Sequence, residues 1–259
     1  MRKISLFMLI LIVFGSSLIG CARDTLSKDK DNINDGQKVF EADVIDTNER
    51  LLLISPDKDS SEILSADRIV VSLAEAEILD KDGKAAEAGI FRPGDRVRIT
   101  YNGLIAESYP AQITADKIEV IGHNDMIDGF MAIIDDLYQE DEGLNGDITM
   151  IAFDTSEWTD LSKDEIETIL KLVESEYGFE VIQSSFDELK EQGLIDKDIL
   201  SFKEGILIEL KDIRINDARN KITCSTHKWR GGDGAIGWDA EAKLSKGEWK
   251  ITRSNMWIS

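Results

Sequence analysis

The chain has 259 residues and carries 51 Asp+Glu against 30 Lys+Arg, a formal net charge of −21. Such a charge repels phosphate backbones and anionic head groups, so nucleic acid is excluded from the expected partners and membrane contact is left to a covalent anchor. Only two cysteines occur, Cys21 and Cys224; with Cys21 committed to lipid, as argued next, Cys224 has no partner for an intramolecular disulfide and the fold must rely on its core.

Residues 1–21 have the three parts of an export signal. Arg2 and Lys3 supply the positive start, Ile4 to Phe14 is an almost unbroken apolar run, and Gly15-Ser16-Ser17 loosens it ahead of Leu18-Ile19-Gly20-Cys21. That tetrad fits a lipobox, in which small residues expose the backbone to the signal peptidase and a thiol carries the diacylglycerol. The apolar run is short against the roughly 20 residues a spanning helix needs, and an Ala-x-Ala-like cleavage site is absent. The expectation is a lipoprotein, lipidated on Cys21 and held on the extracytoplasmic face of the cell membrane. Processing there removes Arg2 and Lys3 and no acidic residue, so the mature chain is more negative still.

Residues 22–37 are polar, with Lys28-Asp29-Lys30-Asp31 and no apolar periodicity, and read as a solvated tether. Residues 38–122 then show the pattern of short strands and turns. Phe40, Ala42 and Val44 alternate with Glu41 and Asp43, Leu51 to Ile54 is apolar, and Val97, Ile99 and Tyr101 alternate with polar neighbours. Asn102-Gly103 predicts a tight hairpin turn, and Ile118 and Val120 mark a closing strand. All three prolines, Pro56, Pro93 and Pro110, fall in this half. A small antiparallel β-barrel domain is the expected solution.

Residues 123–259 begin with a change of period. Met126, Phe130, Ile133, Ile134 and Leu137 mark one face of a helix over 125–141. A strand at 148–153 follows, then a helix opened by Ser162 and Glu165 in capping-box register and stopped at Gly178. A shorter helix spans 186–192. Four strands are expected at 206–215, 221–229, 235–244 and 249–258, making a C-terminal antiparallel meander. The fold class is therefore α+β: a small barrel followed by helices packed on a curved antiparallel sheet.

The stretch from Gly94-Asp95-Arg96-Val97 through Tyr101-Asn102-Gly103-Leu104-Ile105-Ala106-Glu107-Ser108-Tyr109-Pro110-Ala111-Gln112 resembles the signature of the DUF3221, or YobA-like, domains of Gram-positive lipoproteins. The resemblance covers Lys38 to Gly122, implies a small barrel outside the cell, and brings no catalytic residues with it. The second half resembles, in element order and in its terminal Trp249-Lys250-Ile251-Thr252 strand, the nuclear-transport-factor-2-like and cystatin-like folds. Those include enzymes and pure binders, so the shape decides nothing.

Several residue groups bear on chemistry. Cys224 and His227 are three apart in one predicted strand, so their side chains take opposite faces and cannot form a nucleophile–base pair. No zinc-ligand spacing occurs. The acidic stretches Asp57 to Glu62 and Asp80 to Gly83 lack the spacing of an EF-hand loop. Asp154 and Glu157 form a carboxylate pair that turn and helix-entry roles also explain. Neither a metal nor a cofactor is expected. The candidate binding residues are Trp229, Arg230, Asp233 and Trp238, which flank a glycine-rich hairpin as rigid apolar area and directional charge. The preferred reading is a non-catalytic envelope module that binds a protein, peptide or wall component. The alternative is a small enzyme using the cavity of the second half, and a spacer without a ligand is third.

Overall fold

A computed structural model describes residues 36–259. The expected signal peptide, Cys21 and all but the last two residues of the expected tether lie outside the described residues.

The first half holds β1 (Lys38–Thr47), β2 (Leu51–Pro56), β3 (Ile69–Ser72), β4 (Glu77–Leu79), β5 (Asp95–Tyr101) and β6 (Ala111–His123). β1 pairs with β2 and β5, β5 pairs with β6, and β3 pairs with both β2 and β6, which closes a five-stranded barrel. The closing β3–β6 pairing is parallel, and β4 continues the same seam by pairing with β6 from Lys117 to Glu119. The alternation read from the sequence fills the interior: Phe40, Ala42, Val44, Val97, Ile99, Tyr101 and Ile118 are all buried in one cluster. One expectation fails. Asn102-Gly103 does not close a tight hairpin; Gly103 has the predicted positive φ of 82°, but the chain continues in a loop to Pro110 before β6 begins.

The second half holds α1 (Asp125–Gln139), β7 (Met150–Asp154), α2 (Lys163–Tyr177), β8 (Glu180–Gln183), α3 (Phe186–Glu191), β9 (Gly205–Ile215), β10 (Lys221–Gly231), β11 (Gly234–Ser245) and β12 (Glu248–Ile258). The six-stranded sheet runs β12-β11-β10-β9-β7-β8. β9 to β12 form the expected antiparallel meander, but β7 lies parallel to both β8 and β9, so the sheet is mixed. The helix between β7 and β8 makes this possible, because a crossover of that length returns the chain in the same direction.

Alternation then divides the helices between two faces. Ile151, Phe153, Ile206 and Ile208 pack with α1 and α2 in the main core, whereas Ala152 and Leu207 face the other way and pack with Leu189 of α3. The helices thus cover both faces rather than one, and α3 covers only part of the second. Both ends of α2 are capped as the sequence predicts: Ser162 and Glu165 form a reciprocal capping box, and Gly178 ends the helix in the left-handed conformation at φ 73°.

The two sheets share no strand. Polar side chains join the barrel to α2. Ser55 Oγ donates to Asp164 Oδ2 at 2.7 Å, and the Arg68 guanidinium donates to Asp164 at 2.6 Å and Glu167 at 2.7 Å.

Candidate functional site

The four hairpin residues do not come together. The β10–β11 register pairs Trp229 with Ala235 and Thr226 with Trp238, which puts the two indoles on opposite faces of the sheet. Trp238 is 1% exposed in the main core, with the Arg253 guanidinium 4.2 Å above its ring. Trp229 is half-buried on the α3 face, edge-on to Phe186 at 4.9 Å. Arg230 donates to the carbonyls of Leu144 (2.9 Å) and Lys203 (3.1 Å), and so ties two loops to the strand. Asp233 is exposed at the tip. The hairpin is built as a structural joint, with Trp229 as its one partly accessible aromatic.

Beside it lies a different surface. Where α3 stops covering the sheet, the outward register of β9 to β12 presents Glu209 and Lys211, Thr223, Ser225 and His227, Asp239 and Glu241, and Asn255 and Trp257. A groove of about 740 Å³ crosses these strands, lined by Asp212, Arg214, Thr223, Ser225, Asp239 and Glu241 among others. Asp239 is fixed at its floor: Ser225 Oγ donates to Oδ1 at 2.8 Å and Asn255 Nδ2 to Oδ2 at 2.7 Å. Those two bonds, Asn255 first, hold its carboxyl below the usual range. Farther along the same face, where Gly237 pairs with Trp257, the His227 ring meets Trp257 edge-on at 5.4 Å, and Trp257 is 40% exposed. Gly237 makes room for this indole, because a Cβ there would lie 2.8 Å from the Trp257 ring and 2.2 Å from the Thr226 carbonyl oxygen.

The same geometry speaks to catalysis. The Ser225 hydroxyl is committed to Asp239 rather than to His227, and His227 Nδ1 stands 3.8 Å from Glu209, beyond a hydrogen bond. His227 and Lys211 hold Glu209 below the usual carboxylate range, which makes it an anion rather than a proton donor. Cys224 points into the main core, where burial and then Asp239 push its thiol up to about 12, so it is an inert apolar group. Asp154 and Glu157 serve the turns: Asp154 accepts from the Ser156 amide and Glu157 from the Asp212 amide.

A second cluster sits where β6 runs into α1. Donor atoms of His123, Asp125 and Asp128 lie within 4.8 Å of one another. His123, however, already uses both ring nitrogens, Nδ1 to buried Asp95 at 2.8 Å and Nε2 to Asp128 at 3.1 Å. Burial alone would discharge this imidazole, but the bonds to Asp128 and Asp95 outweigh it and raise the pKa to about 9. An imidazolium has no lone pair for a cation, so the cluster works as an ionic bridge from the barrel to the start of α1.

The sequence reading missed the groove. Its signal was present in the alternation Thr223, Ser225, His227 against Ile222, Cys224 and Thr226, but Lys228 continues the buried register and disguises the pattern.

The comparisons with known proteins bear on the barrel. The family described as "Protein of unknown function (DUF3221)" matches residues 43–122. Among solved structures, the chain is similar to a yobA protein from Bacillus subtilis subsp. subtilis str. 168, at 13% identity over 32% of this chain and 94% of that one, with a TM-score of 0.24. It is also similar to the solution structure of Bacillus subtilis YobA 21–120, at 14% identity over 38% of this chain and 95% of that one, with a TM-score of 0.25. No curated protein matches the chain. Residues 43–122 thus match the model of the DUF3221 family, whose function is unknown.

Proposed function

We propose that the protein is a lipid-anchored extracytoplasmic lipoprotein that works as a non-catalytic binding module, with the outward face of the second sheet as its ligand surface. The anchor rests on the Leu18-Ile19-Gly20-Cys21 lipobox behind an apolar run. The binding role is carried by one observation: a groove whose lining carboxylate, Asp239, is fixed by two side-chain donors, with an accessible indole farther along the same sheet face. Fixed acceptors beside an aromatic face suit a polar envelope component, such as a wall fragment or peptide, because orientation and contact area are both in place before binding.

The test is calorimetric titration of the mature protein with soluble peptidoglycan fragments. Binding is expected, and Trp257→Ala and Asp239→Ala should each weaken it about tenfold, the scale of a hot-spot loss. Unfolding midpoints should stay close to that of the parent. Failure of these fragments to bind, or full affinity in both variants, would overturn the assignment of this face.

A further inference from the structure

The three most exposed large apolar side chains of the barrel lie at one end. Leu64 is 87% exposed, Leu104 73% and Tyr109 74%, although the barrel core behind them is closed. Single exposed apolar residues are ordinary on any protein surface; here they flank one groove of about 590 Å³, lined by Leu64, Ser65, Ile105, Ala106, Glu107 and Ser108. The Tyr109 hydroxyl donates to Asp67 at 3.1 Å, which leaves the ring facing outward with its polar tip tied down.

This is also the end at which the chain enters. Lys38 opens β1 opposite Tyr101, the last residue of β5, and the Gly36 carbonyl lies 3.0 Å from where a Cβ on Gly103 would stand. The next residue after Gly103 is Leu104. Fourteen residues, 22–35, separate Cys21 from this point, a reach of about 50 Å at full extension. A lipid on Cys21 would therefore keep this end of the barrel near a bilayer at high effective concentration, where weak apolar contacts become significant.

We propose that the rim formed by Leu64, Leu104 and Tyr109 rests on the surface of the bilayer that holds the Cys21 anchor. The inference depends on the lipoprotein reading above. Aromatic and aliphatic side chains favour the head-group boundary, where the apolar body is buried and a hydroxyl stays wet. Glu107 and Asp67 stand beside the rim, so the contact is stronger on zwitterionic than on anionic lipid.

The experiment uses the full lipidated protein reconstituted into phosphatidylcholine vesicles containing brominated lipid. An environment-sensitive fluorophore is placed on Leu64→Cys, on Leu104→Cys and, as control, on Asp233→Cys at the hairpin tip. Cys21 carries lipid in this preparation and Cys224 is buried, so neither competes for label. Co-flotation with the vesicles reports the anchor separately. The expected result is a blue shift and about twofold quenching at positions 64 and 104, as for shallow insertion at the boundary, with none at 233. Added phosphatidylglycerol should reduce the effect. Co-flotation without quenching at 64 and 104 overturns the rim contact while leaving the anchor intact. Absence of co-flotation removes the anchor and the rim contact with it. A blue shift already present in lipid-free buffer, together with a dimer in light scattering, assigns the rim to a second copy instead.

Discussion

Lys228 occupies a position that alternation reserves for an apolar side chain, and it is fully buried. Its ammonium donates to the carbonyls of Tyr138 (3.0 Å), Glu140 and Asp141 (3.3 Å) and to Asn145 (3.3 Å) just past the end of α1. Tyr138 also accepts from Asn145 Nδ2 and Asp141 from the Leu144 amide, so the Glu140 carbonyl is the one that relies on the ammonium. Burial pushes its pKa down to about 8, so the charged form still predominates at neutral pH. Lys228→Met should destabilise the protein by about 2 kcal/mol in urea unfolding, because the Glu140 carbonyl and Asn145 Oδ1 lose their donor; an unchanged midpoint would mean that water replaces the ammonium there. His123 makes a pH prediction. Its folded pKa is raised from 6.5 to about 9, so its stabilisation is complete below pH 6.5 and is lost as pH rises through 9. The loss is about 3 kcal/mol at most, and His123→Gln should flatten the stability profile between those values. Neither role was legible in the sequence, since both depend on which loop or helix end the tertiary fold brings to the side chain.

Individual elements were far easier to read. α1, α2 and the four strands of the meander appear where periodicity, capping and turn residues put them, because those signals act within a few residues of the chain. β8 was missed: Glu180–Gln183 is four residues long at a sheet edge, and no member of it is fully buried. With β8 went the parallel pairings, which no local pattern encodes. The tryptophan hairpin shows the same boundary between local and register information. Its turn and both strands were legible, yet the faces of Trp229 and Trp238 depend on a pairing in which a three-residue offset reverses the side. The two capping boxes offer a direct comparison of elements. Ser162→Ala on α2 and Ser185→Ala on α3 should each cost about 1 kcal/mol locally. Hydrogen exchange should show α3, the shorter helix, losing protection first; equal loss in both would contradict the view that α3 is the weaker cover of the sheet.

For the whole molecule, each half has its own core and the sheets do not share a strand, while Arg68, Asp164 and Glu167 join them by charge. Fragments 38–122 and 123–259 should accordingly each unfold cooperatively in circular dichroism, and Arg68→Ala should lower only the coupling between them. A fragment 38–122 without a cooperative transition would show that the barrel needs its neighbour. The proposed binding face and the proposed rim contact both require a protein fixed to the outside of a membrane, so the lipid on Cys21 comes first. Mass spectrometry of the intact protein from the membrane fraction tests it most directly. The predicted result is a chain that begins at Cys21 and carries a diacylglycerol there, with Cys21→Ala leaving the membrane fraction; a chain that retains residues 1–20, or a Cys21→Ala variant still held at the membrane, would contradict it.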